Sequence, residues 1–185
     1  MPDIFFAGDH HFHHKKLLSF TNDCGETIRK FSSMEEHDEY LIDQHNKVVG
    51  PYDKVYFLGD VVINKKGLQK LGRLNGKKRL VRGNHDIFPT SEYMKYFEEI
   101  YGIRVFTPRD VGFFFCATHV PVHQESLKRW GLNVHGHLHS NVVRDSYGIR
   151  DPNYLCVSME RLNDYKPTSI DHIRQYAIEI FGIVE

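Results

Sequence analysis

Short apolar runs alternate with amphipathic stretches along the whole chain. The runs at 4–7, 54–58, 78–81, 113–117, 132–134 and 154–157 predict strands. Most are uniformly apolar, as expected of strands covered on both faces. Helix signals fall between several of them. Ser33-Met34-Glu35-Glu36 has the form of a capping box. It opens a stripe of Met34, Leu41, Ile42, His45, Val48 and Val49 that Gly50-Pro51 stops. Thr90 and Ser91 predict a second helix through Tyr101, ended by Gly102, and residues 66–74 and 169–176 predict two more. The stripe of Tyr93, Tyr96, Phe97 and Ile100 on the second helix reads as core rather than as a base-stacking platform. Strands alternating with helices argue for α/β layering.

Composition narrows the picture. The 185 residues fit one domain, 1–185. A chain of this size hides roughly 70% of its unfolded surface without disulfides. Lys and Arg total 24, as do Asp and Glu, so the formal net charge is zero. Proteins that grip long nucleic acids usually carry a basic excess, so stable binding to long nucleic acid is not expected. Lys65, Lys66, Lys77, Lys78, Arg79 and Arg82 read as solvated faces and loop ends. The three cysteines include no C-x-x-C, and Cys116 and Cys156 sit in apolar runs. That usage suits a reducing compartment. Met1-Pro2-Asp3 opens without a basic region before an apolar stretch, and no run approaches membrane-helix length. A cytoplasmic protein without a membrane partner is expected. The departure from the ordinary is histidine, with 13 residues.

Their placement matters more than their number. The run at 4–7 leads into Gly8-Asp9-His10-His11, the run at 54–58 into Gly59-Asp60, and the run at 78–81 into Arg82-Gly83-Asn84-His85-Asp86. The run at 113–117 leads into Thr118-His119, and that at 132–134 into His135-Gly136-His137-Leu138-His139. Five strands thus end in metal-competent side chains, most beside a glycine that lets backbone approach a ligand closely. In α/β sheets, ligands bind beyond the carboxyl ends of strands. Each piece alone is weak, since Gly-Asp is often a turn and Thr-His often a satisfied core histidine. Recurrence at five strand ends is the signal.

Asp9-x-His11, Gly59-Asp60, Gly83-Asn84-His85-Asp86, Thr118-His119 and Gly136-His137-x-His139 resemble, in order, the five signature blocks of the calcineurin-like metallophosphoesterases. The region 31–86 and the tail Asn163-x-Tyr165-Lys166-Pro167 are similar to small bacterial and phage members. The resemblance implies a four-layer α/β sandwich of two mixed β-sheets flanked by helices, with metals at the loop edge. It implies that Asp9, His11 and His139 hold one metal, that Asn84, His119 and His137 hold the other, and that Asp60 bridges them. His85 would face the scissile phosphate as proton donor, together with Asn84 as a substrate contact, and Asp86 would orient His85. His14 is a further candidate for the phosphate site, whereas His10 and His13 have no assigned role. His37, His45, His123, His135 and His172 read as structural or exposed.

Imidazole with carboxylate suits transition metals, Mn first and Fe, Zn, Ni or Co as alternatives, better than Ca or Mg. Two ions about 3.5–4 Å apart clamp the attacking and leaving oxygens of an in-line displacement. The activity implied is hydrolysis of a small phosphodiester or phosphomonoester, with a nucleotide among the candidates, by a hydroxide between the metals. A non-ligand imidazole can then protonate the leaving oxygen.

The second block, Gly59-Asp60-Val61-Val62-Ile63-Asn64, lacks the Asp-Arg-Gly of protein Ser/Thr phosphatases, which argues against a phosphoprotein substrate. No long insertion supplies a cap. Metallo-β-lactamase-type enzymes need His-x-His-x-Asp-His, and His11-Phe12-His13-His14 lacks the Asp. A (β/α)₈ amidohydrolase needs about 250 residues. Two alternatives stay open: an end-processing phosphodiesterase on nucleic acid, and a non-catalytic interaction scaffold on the same fold. The filled ligand positions favour an enzyme; substrate, metal pair and oligomeric state are left open.

Overall fold

A computed structural model describes residues 2–22 and 24–182. In chain order, β1 (Ile4–Ala7) precedes α1 (Met34–Val48), β2 (Lys54–Phe57), α2 (Lys65–Leu71) and β3 (Lys77–Val81). Then come α3 (Thr90–Tyr93), β4 (Glu99–Tyr101), β5 (Arg104–Phe106), α4 (Pro108–Val111) and β6 (Phe115–Thr118). The chain continues through α5 (Gln124–Leu127), β7 (Asn133–His135), β8 (Tyr154–Cys156), β9 (Thr168–Ser169) and α6 (Ile170–Phe181). The six expected strands all form, with ends within two residues of those read from the pattern.

Five strands in the order β4-β3-β2-β1-β9 make one sheet, parallel except for β9. The order β5-β6-β7-β8 makes the second, parallel except for β5. Side chains of a strand alternate between faces, and β1 divides accordingly. Phe5 and Ala7 join a core with Val55, Phe57, Leu80, Leu41 and Ile42 of α1, and Leu68 and Leu71 of α2. Phe6 turns the other way, with Tyr56, Leu58 and Val81, to meet Phe106, Phe115, Ala117 and Val134 of the second sheet. Phe106 and Phe115 stack at 4.5 Å between centroids, and Phe6 meets both edge-on. Ile170, Ile173 and Ala177 of α6 complete this inter-sheet core. On the second sheet's other face, Asn133 and Tyr154 are buried and hydrogen-bond the Val122 backbone before α5. The result is two mixed sheets flanked by helices, as expected. Among the described residues, no helix is long and apolar enough to cross a membrane.

Two local expectations need correction. The helix expected from Thr90 through Tyr101 is only α3, and Glu99–Tyr101 is the edge strand β4. Its residues pair in parallel with Arg79–Val81 of β3, and Arg79 forms ion pairs with Glu98 and Glu99. The open edge of β3 supplies backbone partners that helical spacing does not foresee. Tyr93 and Phe97 are nonetheless fully buried, so the aromatic stripe is core. The capping box at α1 is half formed. Ser33 accepts the Glu36 N–H at 3.1 Å, but the Glu36 carboxylate turns to the N–H and hydroxyl of Ser32.

Candidate metal centre

The carboxyl ends of β1, β2 and β3 face those of β6 and β7 across the gap between the sheets. Backbone bonds tie the edges together: Gly8 donates to Val157 O at 2.8 Å, and Met159 donates to Gly8 O at 3.1 Å. Backbone crowds this gap. A Cβ on Gly83 would lie 2.3 Å from Asp60 Oδ1, and one on Gly136 would lie 2.7 Å from Asp9 Oδ2.

Ligand-capable atoms of Asp9, His11 and His139 lie within 4.8 Å of one another, and so do those of Asp60, His119 and His137. Asp60 faces both groups. Its Oδ2 is 3.8 Å from His11 Nε2, and its Oδ1 is 3.4 Å from His119 Nε2. Asn84 joins the second group, with Oδ1 2.8 Å from His119 Nε2. His85 projects beside the first group at 5.9 Å from the His11 ring, as does His14 on another side, also at 5.9 Å. Asn84 and His85 are solvent-exposed. A cleft lined by His13, His14, Lys15, Lys16 and Asn64 opens nearby.

The backbone around these residues is unusual. Asp9, His11, Asp60, His137 and His139 all have φ between 50° and 70°. Left-handed φ is uncommon outside glycine and persists only where the surroundings over-determine it. Each strand here turns sharply at its end and aims the side chain into the gap.

The donor set fits cations. Asp9 is fully buried, and its Oδ2 accepts from the Ser158 hydroxyl at 2.6 Å and the His137 N–H at 2.8 Å. Its Oδ1 has no partner, and neither ring nitrogen of buried His11 has one. Burial raises the Asp9 carboxyl to about 6 and holds His11 well below the ordinary histidine range. His119 Nδ1 donates to Leu58 O at 2.8 Å, since a carbonyl can only accept. In the neutral ring, Nε2 then turns a lone pair toward Asn84 Oδ1, itself an acceptor. A proton or a cation between them resolves this, as does an Asn84 amide turned to present its NH2. Burial opposes protonation of His119, but the Asp60 and Asp9 carboxylates outweigh it and shift the ring above its ordinary value.

Asp86 differs from expectation. It is buried, and its carboxylate accepts the N–H groups of Asp60 at 2.9 Å, Val61 at 3.0 Å and Gly83 at 2.8 Å. It pins the turns after β2 and β3 to each other and makes no bond to the His85 ring. His10 points away from the gap, stacked on Phe12 and tilted against Phe57 in the core. His37, His45 and His135 are buried and bonded within the fold, and His123 caps α5.

Three neighbours of the centre escaped the sequence reading. Ser158 and Glu160 follow β8, and Glu160 Oε1 lies 2.9 Å from His139 Nδ1. The strand-end rule that located the other blocks applies to β8 as well. Arg29, fully buried, sits between Glu160 and the backbone of Asp9 and His10. No local pattern marks it.

No family model matches the chain. The uncharacterized protein MJ1445 of Methanocaldococcus jannaschii is 35% identical over 179 residues, covering 94% of this chain and 90% of that one. The Gene 66 protein of Mycobacterium phage D29 is 25% identical over 210 residues, covering 97% and 98%. Among solved structures, the protein of unknown function AQ665 from Aquifex aeolicus superposes with a TM-score of 0.73 at 25% identity, covering 95% and 99%. With two mixed sheets flanked by helices and two Asp/His groups at their shared loop edge, the chain belongs to the family of MJ1445 and shares the fold of AQ665.

Proposed function

We propose that this protein is a phosphoesterase that uses two divalent transition-metal ions to hydrolyse small phosphate esters, nucleotides among them. Asp9, His11 and His139 would hold one ion and Asn84, His119 and His137 the other, with one oxygen of Asp60 toward each. The observation that carries this reading is the position of Asp60 between the two groups, one oxygen near His11 and the other near His119, with Asp9 Oδ1 and both His11 ring nitrogens lacking partners. A carboxylate there offsets part of the repulsion between two cations. When bound, such ions supply positive charge against the phosphate and acidify water near neutral pH.

The chain's own groups complete the chemistry. His85 is exposed beside the first group, where its imidazole can give a proton to the leaving oxygen. Its backbone N–H donates to Asp60 Oδ1 at 2.8 Å, which fixes the turn that presents the ring. Asn84 and His14, whose ring lies 5.9 Å from that of His11, would contact the phosphate. The imidazole-rich donor set favours Mn, Fe, Co, Ni or Zn over Ca.

The test is a panel of mono- and diesters assayed after removal of metal and reconstitution with Mn, Ni, Co, Zn, Mg and Ca in turn. Hydrolysis should vanish on chelation and return with a transition metal. A protein that takes up metal yet cleaves no ester would instead be a scaffold on this fold. Undiminished hydrolysis by protein proved free of metal would overturn the reading.

A further inference from the structure

Arg29 contributes a guanidinium with no solvent exposure to the interior behind the centre. Its Nε donates to Glu160 Oε1 at 2.7 Å, and Nη1 donates to the His10 carbonyl at 2.9 Å. Nη2 donates to the Asp9 carbonyl, and Nη1 also lies 2.8 Å from His37 Nε2. His37 Nδ1 in turn lies 3.0 Å from Asp38 Oδ1, which also accepts the His13 N–H at 3.1 Å. One buried chain of polar contacts therefore runs from α1, through Arg29, to Glu160.

Glu160 ends this chain at His139. Its Oε1 receives both Arg29 Nε and His139 Nδ1. A carboxylate oxygen only accepts, so the proton of His139 resides on Nδ1 and the lone pair on Nε2. That ring stacks on His11 at 5.2 Å and 12°. Site two is built otherwise, because His119 Nδ1 bonds a neutral backbone carbonyl. A carboxylate behind an imidazole raises its basicity as a ligand, and loss of such a partner typically lowers metal affinity 10–100-fold.

We infer that Glu160 and Arg29 are positioning residues for the metal site formed by Asp9, His11 and His139. Arg29 holds the Asp9 carbonyl and the Glu160 carboxylate in one rigid fork. It thereby registers two ligands that lie far apart in sequence and on different sheets. This inference rests on the two-metal reading above.

The experiment is calorimetric titration of Mn into the metal-free full chain, with elemental analysis of the product. Wild type, Glu160→Gln, Arg29→Lys and the control His45→Gln are compared, with circular dichroism to verify folding. His45 is a buried histidine away from the centre, so its variant reports what general destabilisation does to metal uptake. We expect two equivalents for wild type and for His45→Gln. In Glu160→Gln and Arg29→Lys, one equivalent should weaken by roughly 10–100-fold while the other is unchanged. If Glu160→Gln does not fold, Arg29→Lys, which keeps the buried positive charge, decides the matter. Wild type that binds no Mn would reject the two-metal reading itself. Wild type with two equivalents and variants with unaltered affinities would overturn the positioning role alone. Equal weakening of both equivalents, paralleled in His45→Gln, would reduce these residues to general structural parts.

Discussion

Asp86 Oδ2 accepts the backbone N–H of Asp60 at 2.9 Å, so one buried carboxylate holds another in place through its main chain. The same carboxylate also takes the N–H groups of Val61 and Gly83. Asp86→Asn keeps one acceptor oxygen and puts an amide donor against backbone donors. We expect a stability loss of about 1–3 kcal/mol, the usual range for leaving buried donors unsatisfied, and weaker metal uptake. Chemical denaturation and elemental analysis measure the two effects. A fall in rate confined to esters with poor leaving groups would instead return Asp86 to the role of orienting His85.

Asp60 offers one oxygen to each group of ligands. Asp60→Ala should therefore weaken both metals, whereas Asp9→Ala or His119→Ala should weaken mainly one. Elemental analysis of the purified variants distinguishes these outcomes. Two full equivalents retained by Asp60→Ala would contradict the bridging assignment.

His85 is exposed, and its side chain is not part of either ligand group. His85→Ala should keep its metals and lose roughly 10²–10⁴-fold in rate on esters with a poor leaving group. On a nitrophenyl ester the loss should be much smaller, because nitrophenolate departs without a proton and little transition-state stabilisation is forfeited. Equal losses on both ester types would mean that His85 binds the phosphate. Loss of metal would make it a ligand.

His45 is buried in α1, with Nε2 3.0 Å from the Asn75 carbonyl and Nδ1 without a partner. Burial lowers its pKa from 6.5 to about 4. Between those values the unfolded chain takes up a proton that the folded one refuses. The histidine therefore favours folding fully above about pH 6.5, and that contribution is lost as pH falls toward 4. By pH 5 the loss is about 2 kcal/mol. His45→Gln keeps a donor for Asn75 and removes the titration. Urea unfolding at pH 7 and pH 5 should show a smaller pH effect in the variant by about that amount; identical pH effects would contradict it.

Much of this centre was legible because its chemistry is local. An apolar run followed by Gly-Asp, Gly-Asn-His or Gly-His-x-His is a strand that ends in metal-competent side chains, and its recurrence at five strand ends is readable along the chain. The strands themselves were legible for the same reason, since a uniformly apolar run has few places to go except between two covered faces. Five candidate ligands adopt left-handed backbone at those ends, and the neighbouring glycines point to close approach.

What the tertiary structure decided are the relations between distant segments. Glu99–Tyr101 is a strand because β3 offers it an open edge, and nothing within residues 90–101 conveys that. Asp86 looked like a partner for its neighbour His85, yet backbone donors from another turn claim its carboxylate. Arg29 and Glu160 are separated by 131 positions and joined at 2.7 Å. A hydrogen bond depends on distance and direction in space, whereas a chain read in one dimension conveys only the separations of three, four or two residues that helices and strands repeat. Local pattern therefore determined which residues stand at the strand ends. Packing of the two sheets determined which of them meet, and what stands behind them.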